Sequence, residues 1–251
     1  MAIIHRLIPY GLRTMCGRFT LTDSPDEIAR HFSVGLTDNF PARYNIAPTQ
    51  AIAVIRTGEG PDPRARTRRF YQLMRWGFLP AWAGKTGKAP TRSLINARSE
   101  TVMEKRTFSS AFKRRRCLVP ASGYYEWTTE NSRKQPWYIH PTDDDDMPFG
   151  FAAIWETYLD PGGGEMDSVA ILTTGASEAL RPIHGREPVV VVPSDYDRWL
   201  TTDETACADL LPLLRPADEG FWQWHKVAPD VGNVRNEGAT LIKPHGQLGL
   251  L

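Results

Sequence analysis

Residues 137–141 (WYIHP), 149–159 (FGFAAIWETYL) and 168–177 (SVAILTTGAS) follow one another with no helical period between them. Each is rich in aromatic and β-branched residues and bounded by turn formers, the pattern of a strand. The first two are expected to form a hairpin across residues 143–146 (DDDD), since a row of like charges is a solvated turn. Working outward, 17–22 (GRFTLT), 51–56 (AIAVIR) and 70–78 (FYQLMRWGF) read as strands, and 117–120 with 123–127 as a bent strand pair. Helical patterns are few. One starts in 22–27 (TDSPDE), where an Asp or Ser cap, a first-turn Pro and two acids precede the EIARHF run. An amphipathic helix is expected over 101–113 and another over 194–200 (SDYDRWL), capped by its Ser. Residues 43–48 (RYNIAP) read as irregular, and 79–93 as a Pro/Gly/Lys loop carrying Trp82. Residues 182–193 read as a loop feeding a short buried strand, and 221–229 and 231–244 as short closing strands. With no β-α-β rhythm, no repeat and no break in composition, the expected class is a β-rich α+β fold in a single domain.

Lys and Arg number 30 and Asp and Glu 29 in a chain of 251 residues, so the net charge of +1 points to no class of partner. Only local clusters could. The three cysteines, Cys16, Cys117 and Cys207, are too few and scattered for a disulfide framework and form no C-x-x-C, so no metal or other cofactor is expected. A reducing, cytoplasmic setting fits that usage. No apolar run is long enough to span a bilayer, and the first fourteen residues lack the form of a signal peptide. Those residues, 1–14, read as an unused upstream start, a removed segment or a real tail, ahead of a domain over 15–251.

Cys16 follows Met15 directly. If Met15 starts translation and is trimmed, Cys16 carries a free α-amine and a thiol on adjacent carbons. Such a 1,2-aminothiol condenses with an aldehyde and closes a thiazolidine ring. The plainer reading is a small buried residue opening a strand. Glu126 lies between aromatics in Tyr124-Tyr125-Glu126-Trp127, where burial would suit a general acid, or it is an exposed strand residue. His184, in Pro182-Ile183-His184-Gly185-Arg186-Glu187-Pro188, sits in a loop suited to a cleft wall; Glu187 there could pair with Arg186. Asn96 could orient an amine and a sugar oxygen, or satisfy its own turn. Arg18, Arg98 and Arg186 each stand two residues after Cys16, Asn96 and His184, which on strands puts each pair on one face. Together they would form a phosphate-binding rim, or else three separate salt bridges. Trp76, Phe78 and Trp82 alternate with Lys85, Lys88 and Arg92, a mix suited to single-stranded nucleic acid, with Trp82 as the best wedge. The Arg64–Arg69 and Lys113–Arg116 runs read as solvated faces.

Set in order, Met15-Cys16-Gly17-Arg18-Phe19, Arg43-Tyr44-Asn45-Ile46-Ala47-Pro48, Trp76-Gly77-Phe78, Asn96-Ala97-Arg98-Ser99-Glu100, the stretch ending Tyr125-Glu126-Trp127, His184-Gly185-Arg186-Glu187-Pro188 and Val231-Gly232-Asn233-Val234 resemble the SOS-response-associated peptidases, or abasic-site processing proteins. The resemblance covers nearly the whole chain from residue 15. It implies flanking helices around an irregular barrel-like sheet, and a partner, single-stranded DNA with abasic sites, captured covalently through an N-terminal Cys16. Asn96, Glu126 and His184 match its other catalytic positions. Arg18, Asn45, Arg98, Arg186 and the loop of Trp82 match its DNA-binding ones. A monomer, self-cleavage that releases Cys16 and a weak lyase side reaction are expected with it. One departure stands out, because Cys16 as written is internal and its nitrogen an amide. Two other readings stay open: a cysteine peptidase or amidohydrolase with Cys16 as nucleophile and His184 as base, and a non-catalytic binder of single strands.

Overall fold

The computed structural model describes residues 17–35, 39–58, 69–85, 94–142, 147–201 and 207–246. Among these residues the strands are β1 (Phe19–Leu21), β2 (Arg43–Ile46), β3 (Ala51–Thr57), β4 (Arg69–Trp76), β5 (Asn96–Arg98), β6 (Arg116–Ala121), β7 (Gly123–Glu130), β8 (Arg133–Pro141), β9 (Phe149–Leu159), β10 (Glu165–Gly175), β11 (Arg186–Pro188), β12 (Val190–Val191) and β13 (Trp222–Lys226). The α-helices are α1 (Pro25–Phe32), α2 (Ala81–Lys85), α3 (Ser109–Arg114) and α4 (Tyr196–Leu200).

The long apolar strands build a closed barrel. β10 pairs with β4, β4 with β3, β3 with β6, β6 with β9, and β9 returns to β10. Closure removes the free edges that such apolar strands would otherwise expose. Beyond the barrel rim β5 and β11 flank the C-terminal end of β10, where Thr173 is opposite Arg98 on one side and Pro188 on the other. A second sheet runs in the order β13-β8-β7-β1-β2. It packs on the barrel through aromatics: Phe19 stands edge-on to Trp76 at 5.1 Å and to Phe151 at 6.1 Å, and Tyr124 edge-on to Phe151 at 6.1 Å. These rings are fully or almost fully buried, and aromatic pairs of this geometry add to their burial energy. The result is a mixed α+β domain, as expected.

Several local expectations change. The predicted hairpin of 137–141 with 149–159 is absent: β8 pairs with β7 and β13, whereas β9 joins the barrel. The 143–146 turn lies outside the described residues. Likewise 117–120 and 123–127 are not partners. β6 belongs to the barrel and β7 to the other sheet, and the chain crosses between them at Ser122, whose hydroxyl accepts from the Thr22 N–H at 2.7 Å and donates to Asp23. Gly123 follows because a Cβ there would collide with the Tyr138 hydroxyl. Residues 43–46 form a strand rather than an irregular segment; the extended bias before Pro48 suits a strand as well as a loop. The helix expected over 101–113 shrinks to α3, after a 3-10 turn (Ser99–Thr101) and separate turns closed by Lys105 N–H to Thr101 O and Phe108 N–H to Lys105 O. α4 follows a 3-10 turn (Pro193–Asp195) and no Ser side chain caps it. Residues 231–244 hold 3-10 turns instead of a strand. By contrast α1 has the expected start: Ser24 accepts from Glu27 N–H, and the Glu27 carboxylate accepts from Ser24 N–H at 2.7 Å, a capping box.

Candidate functional site

The site has two halves, one on each sheet. On the second sheet, the β1–β7 ladder pairs Phe19 with Tyr124, and the Tyr125 N–H donates to Arg18 O at 3.0 Å, extending the register by a residue. The ladder ends there; continuing its antiparallel order by one step would bring Gly17 towards Glu126. Glu126 is 4% exposed, and by alternation it shares with Tyr124 the sheet face that packs on the barrel. Cys16 itself lies outside the described residues.

Arg18 is anchored. Its Nη1 donates to Asn45 Oδ1 at 2.7 Å and to Val231 O at 2.7 Å, and Nη2 donates to Gly232 O at 3.2 Å. Burial pulls the guanidinium pKa below its usual value, with Tyr125 opposing the shift. Asn45, fully buried, donates both amide hydrogens onward, to Asn233 O at 3.0 Å and Asn236 O at 2.9 Å. Expected among the DNA contacts, Asn45 instead has both its N–H groups spent inside the protein, where it ties Arg18 to the 231–236 turn. Tyr125 closes the same corner by donating to Tyr44 O at 2.8 Å, and burial pushes its hydroxyl pKa well up.

On the barrel side, β5 runs parallel to β10 with Asn96 opposite Ile171. Asn96 is half-buried and Arg98 exposed. His184 sits in the turn before β11, where its Nδ1 lies 3.2 Å from the Arg186 backbone nitrogen. The turn is fixed by Glu187, fully buried, whose carboxylate accepts from Ser177 N–H at 2.9 Å and Ala217 N–H at 2.8 Å. Glu187 therefore does not pair with its neighbour. Arg186 pairs with Glu100 in a two-pronged contact, Nη1 to Oε1 at 2.7 Å and Nη2 to Oε2 at 2.8 Å, and Nη2 also donates to Thr173 O at 2.6 Å.

One contact chain joins the halves. Phe19, adjacent to Arg18, stacks edge-on against Trp76, and the Trp76 Nε1–H donates to Ile95 O at 3.0 Å, one residue before Asn96. Trp76 and Phe78 have no exposed area, so both are core residues and neither offers a face to a nucleic acid.

The family model for SOS response associated peptidase (SRAP) matches residues 15–234. The chain belongs to the SRAP family. It is similar to the abasic site processing protein YoqW of Bacillus subtilis, 32% identical over 235 residues that cover 92% of this chain and 100% of the relative. It is also similar to the abasic site processing protein YedK of Escherichia coli, 29% identical over 243 residues, covering 92% and 100%. A solved protein from Bacteroides thetaiotaomicron shares the fold with a TM-score of 0.76 at 21% identity, covering 92% of this chain and 100% of that one.

In this SRAP domain Trp82 stands apart from Arg186. It is 45% exposed and sits on α2 rather than in a loop. α2 packs on the end of β9 so closely that a Cβ on Gly84 would collide with Leu159 O. Leu159 is opposite Glu165 at the start of β10, whereas Arg186 is opposite Gly175 at its end. A strand of 11 residues separates them, about 35 Å at ~3.3 Å per residue. Lys88 and Arg92 lie outside the described residues, as does most of the 64–69 run. Of the 113–116 run, Arg116 is not solvated but 1% exposed.

Three roles around the candidate site were not read from the sequence: Trp76 as a bridge, Glu100 as the partner of Arg186, and Glu187 as a loop staple. Only Glu100 left a signal, standing two residues after Arg98 in the Asn96–Glu100 motif. Among the described residues, Cys117 and Cys207 are buried, and burial pushes the Cys117 thiol pKa well up. No cluster of His, Cys, Asp and Glu there is placed to hold a metal, and no helix there is long and apolar enough to cross a membrane.

Proposed function

We propose that this protein captures abasic sites in single-stranded DNA covalently, through the α-amine and thiol of Cys16. The observation that supports the reading is the β1–β7 register, Phe19 opposite Tyr124 with Tyr125 N–H donating to Arg18 O, which leads the chain before Arg18 towards buried Glu126. Cys16 is one peptide unit from Gly17, a Cα step of about 3.8 Å. The Phe19–Trp76–Ile95 chain links the β1 strand to the residue before Asn96. Membership of the SRAP family and relatives named for abasic site processing support the substrate class.

The abasic deoxyribose is mostly a closed hemiacetal. Glu126, protonated, gives its proton to the ring oxygen while water takes the C1′ hydroxyl proton, and the ring opens to the C1′ aldehyde. The Cys16 amine adds to that carbon to form a carbinolamine, and loss of water gives a Schiff base. His184 carries the protons of both steps, and Asn96 aligns amine and sugar. The Cys16 thiolate adds to the imine carbon and the nitrogen takes a proton, closing the thiazolidine. An α-amine has a reference pKa of about 7.7–8.0, so a neutral fraction is present near pH 7. If the thiol step is missed, the Schiff base drains into β-elimination, a weak lyase reaction. Arg18, Arg98 and Arg186 serve the phosphates near the lesion, and Trp82 stacks on a base further along the strand.

The scheme requires an unblocked Cys16. Translation from Met15 with loss of that Met supplies it, as does hydrolysis of the 15–16 peptide bond by the protein itself. The domain is then residues 15–251, acting as a monomer in the cytoplasm. The test is intact-mass spectrometry of two forms, starting at Met15 and at Met1, after mixing with a single-stranded oligonucleotide bearing one abasic site. The Met15 form should lose its Met and gain the oligonucleotide mass less one water. Cys16→Ala should give no stable adduct. A stable adduct on Cys16→Ala, or on protein that keeps residues 1–15, would overturn the scheme.

A further inference from the structure

We infer that Glu100 occupies the two-pronged face of the Arg186 guanidinium in the DNA-free protein, and that a DNA phosphate must displace it. Glu100 would thereby set how tightly single strands bind. The inference rests on the proposed role of Arg186 at the phosphates.

The donors of Arg186 decide the matter. A guanidinium has five N–H groups, and the pair that grips a phosphate with two parallel bonds is one edge of the fork. Here the Nη1/Nη2 edge is filled, Glu100 Oε1 at 2.7 Å and Oε2 at 2.8 Å. The other Nη2 hydrogen goes to the Thr173 carbonyl at 2.6 Å, with the Thr173 hydroxyl at 3.2 Å. Nε is buried and has no acceptor. What remains is one Nη1 hydrogen, enough for a single bond to phosphate but not for a fork. A carboxylate and a phosphodiester present the same motif, two oxygens sharing one negative charge, so they compete for one edge.

The order of exposure fits. The Glu100 side chain is 49% exposed and that of Arg186 18%, so the carboxylate lies on the solvent side of the cation and meets an incoming strand first. Such an exposed pair contributes little to stability, on the order of 0–1 kcal/mol, and is easily exchanged. Glu100 is also ionised at neutral pH. Hydrogen bonds from Arg186 hold its carboxyl below the usual range, and the charges of Arg186 and Arg98 add to that. Thr173 holds Arg186 from behind, so the guanidinium does not depend on Glu100 for its place.

The test is equilibrium binding of a fluorescent, undamaged single-stranded oligonucleotide, read by anisotropy across a salt series. It needs no Cys16 chemistry. Glu100→Gln should bind about three- to tenfold tighter at low salt, since an uncharged amide holds the Arg186 fork less strongly against a phosphate. Its plot of log K against log salt should steepen by about 0.7, one added phosphate contact on a single strand. Glu100→Asp, whose shorter side chain draws the carboxylate off the fork, should show a smaller gain in the same direction and carries the test if the Gln variant misfolds. In an Arg186→Gln background the gain should vanish. Weaker or unchanged binding by both variants, with the wild type still binding in a salt-sensitive way, overturns the role of Glu100 and leaves the proposed function intact. No binding by wild type or variants overturns both.

Discussion

Nη1 of Arg18 donates to Oδ1 of Asn45 at 2.7 Å, and Asn45 passes the connection on to the carbonyls of Asn233 and Asn236. One fully buried amide therefore binds the strand that leads back to Cys16, the neighbouring strand β2 and a turn almost two hundred residues later. Asn45→Ala would remove three part-buried hydrogen bonds at once, leaving Arg18 Nη1 only its bond to Val231 O. At about 1–3 kcal/mol for each group left unsatisfied, partly relieved by water, the expected loss is roughly 2–4 kcal/mol in urea unfolding. Crosslinking to abasic single strands should fall at least about tenfold under conditions where the variant is still folded, because the Arg18 anchor would loosen. Unchanged crosslinking in a folded Asn45→Ala protein would show that the anchor does not position the site.

Trp76 tests whether the two halves of the site are coupled. Trp76→Phe keeps a ring against Phe19 and removes the N–H that reaches Ile95 O together with part of the buried indole. The cost in stability should be about 1–3 kcal/mol, the loss of a hydrogen bond and some packing. If the bond sets the spacing between Arg18 and Asn96, the crosslinking rate should drop by more than the folded fraction does, while binding of undamaged single strands should hold. A rate that tracks only the folded fraction would confine Trp76 to the core.

Much of the secondary structure was legible because it rests on local chemistry. Ser24 and Glu27 announce the start of α1 within a single turn, and the unbroken apolar run of β10 has the mark of a strand buried on both faces. Strand partners were not legible. Alternation tells which face a residue takes but not which strand lies beside it, so 117–120 and 123–127, neighbours in the chain, were paired wrongly although they enter different sheets. At the candidate site, Asn96, Glu126 and His184 are proposed from type and setting alone. Their supports could not be read that way. Nothing near Arg186 announces that its carboxylate is Glu100, 86 residues upstream, and the adjacent Glu187 was the obvious but mistaken partner.

Arg116 shows what a run of bases can hide. It ends the 113–116 cluster, yet its guanidinium is buried and donates to Phe112 O at 2.6 Å, Lys113 O at 2.9 Å, Trp199 O at 2.8 Å and Thr201 O. These carbonyls end α3 and α4, where a cation also meets the negative ends of two helix dipoles. Arg116→Met fills the volume but leaves the carbonyls without their donors. Destabilisation of about 3–5 kcal/mol is expected by chemical denaturation. Arg116→Lys should recover only part, since one ammonium cannot reach both helix ends. A loss under about 1 kcal/mol for Arg116→Met would mean that water replaces the guanidinium.

His31 gives the fold a dependence on pH. It lies in the last turn of α1, its Nε2 3.0 Å from the Tyr196 hydroxyl, with its ring edge-on to Phe32 at 4.8 Å. Arg69 sits over the same Tyr196 ring, 5.7 Å from its centroid, and adds positive charge nearby. Desolvation lowers the His31 pKa below its ordinary value. A histidine with a depressed folded pKa takes up its proton more readily when unfolded. Stability from this residue is therefore complete above the unfolded pKa of about 6.5 and is lost as pH falls from there through the folded value. The wild type should accordingly lose more stability between pH 7 and pH 5 than His31→Gln, which keeps a hydrogen-bonding side chain but cannot titrate. Urea unfolding of both proteins at half-unit pH steps checks this. Parallel curves would show that His31 titrates alike in both states, and a wild type that gains on Gln with falling pH would mean that its folded pKa is raised, not lowered.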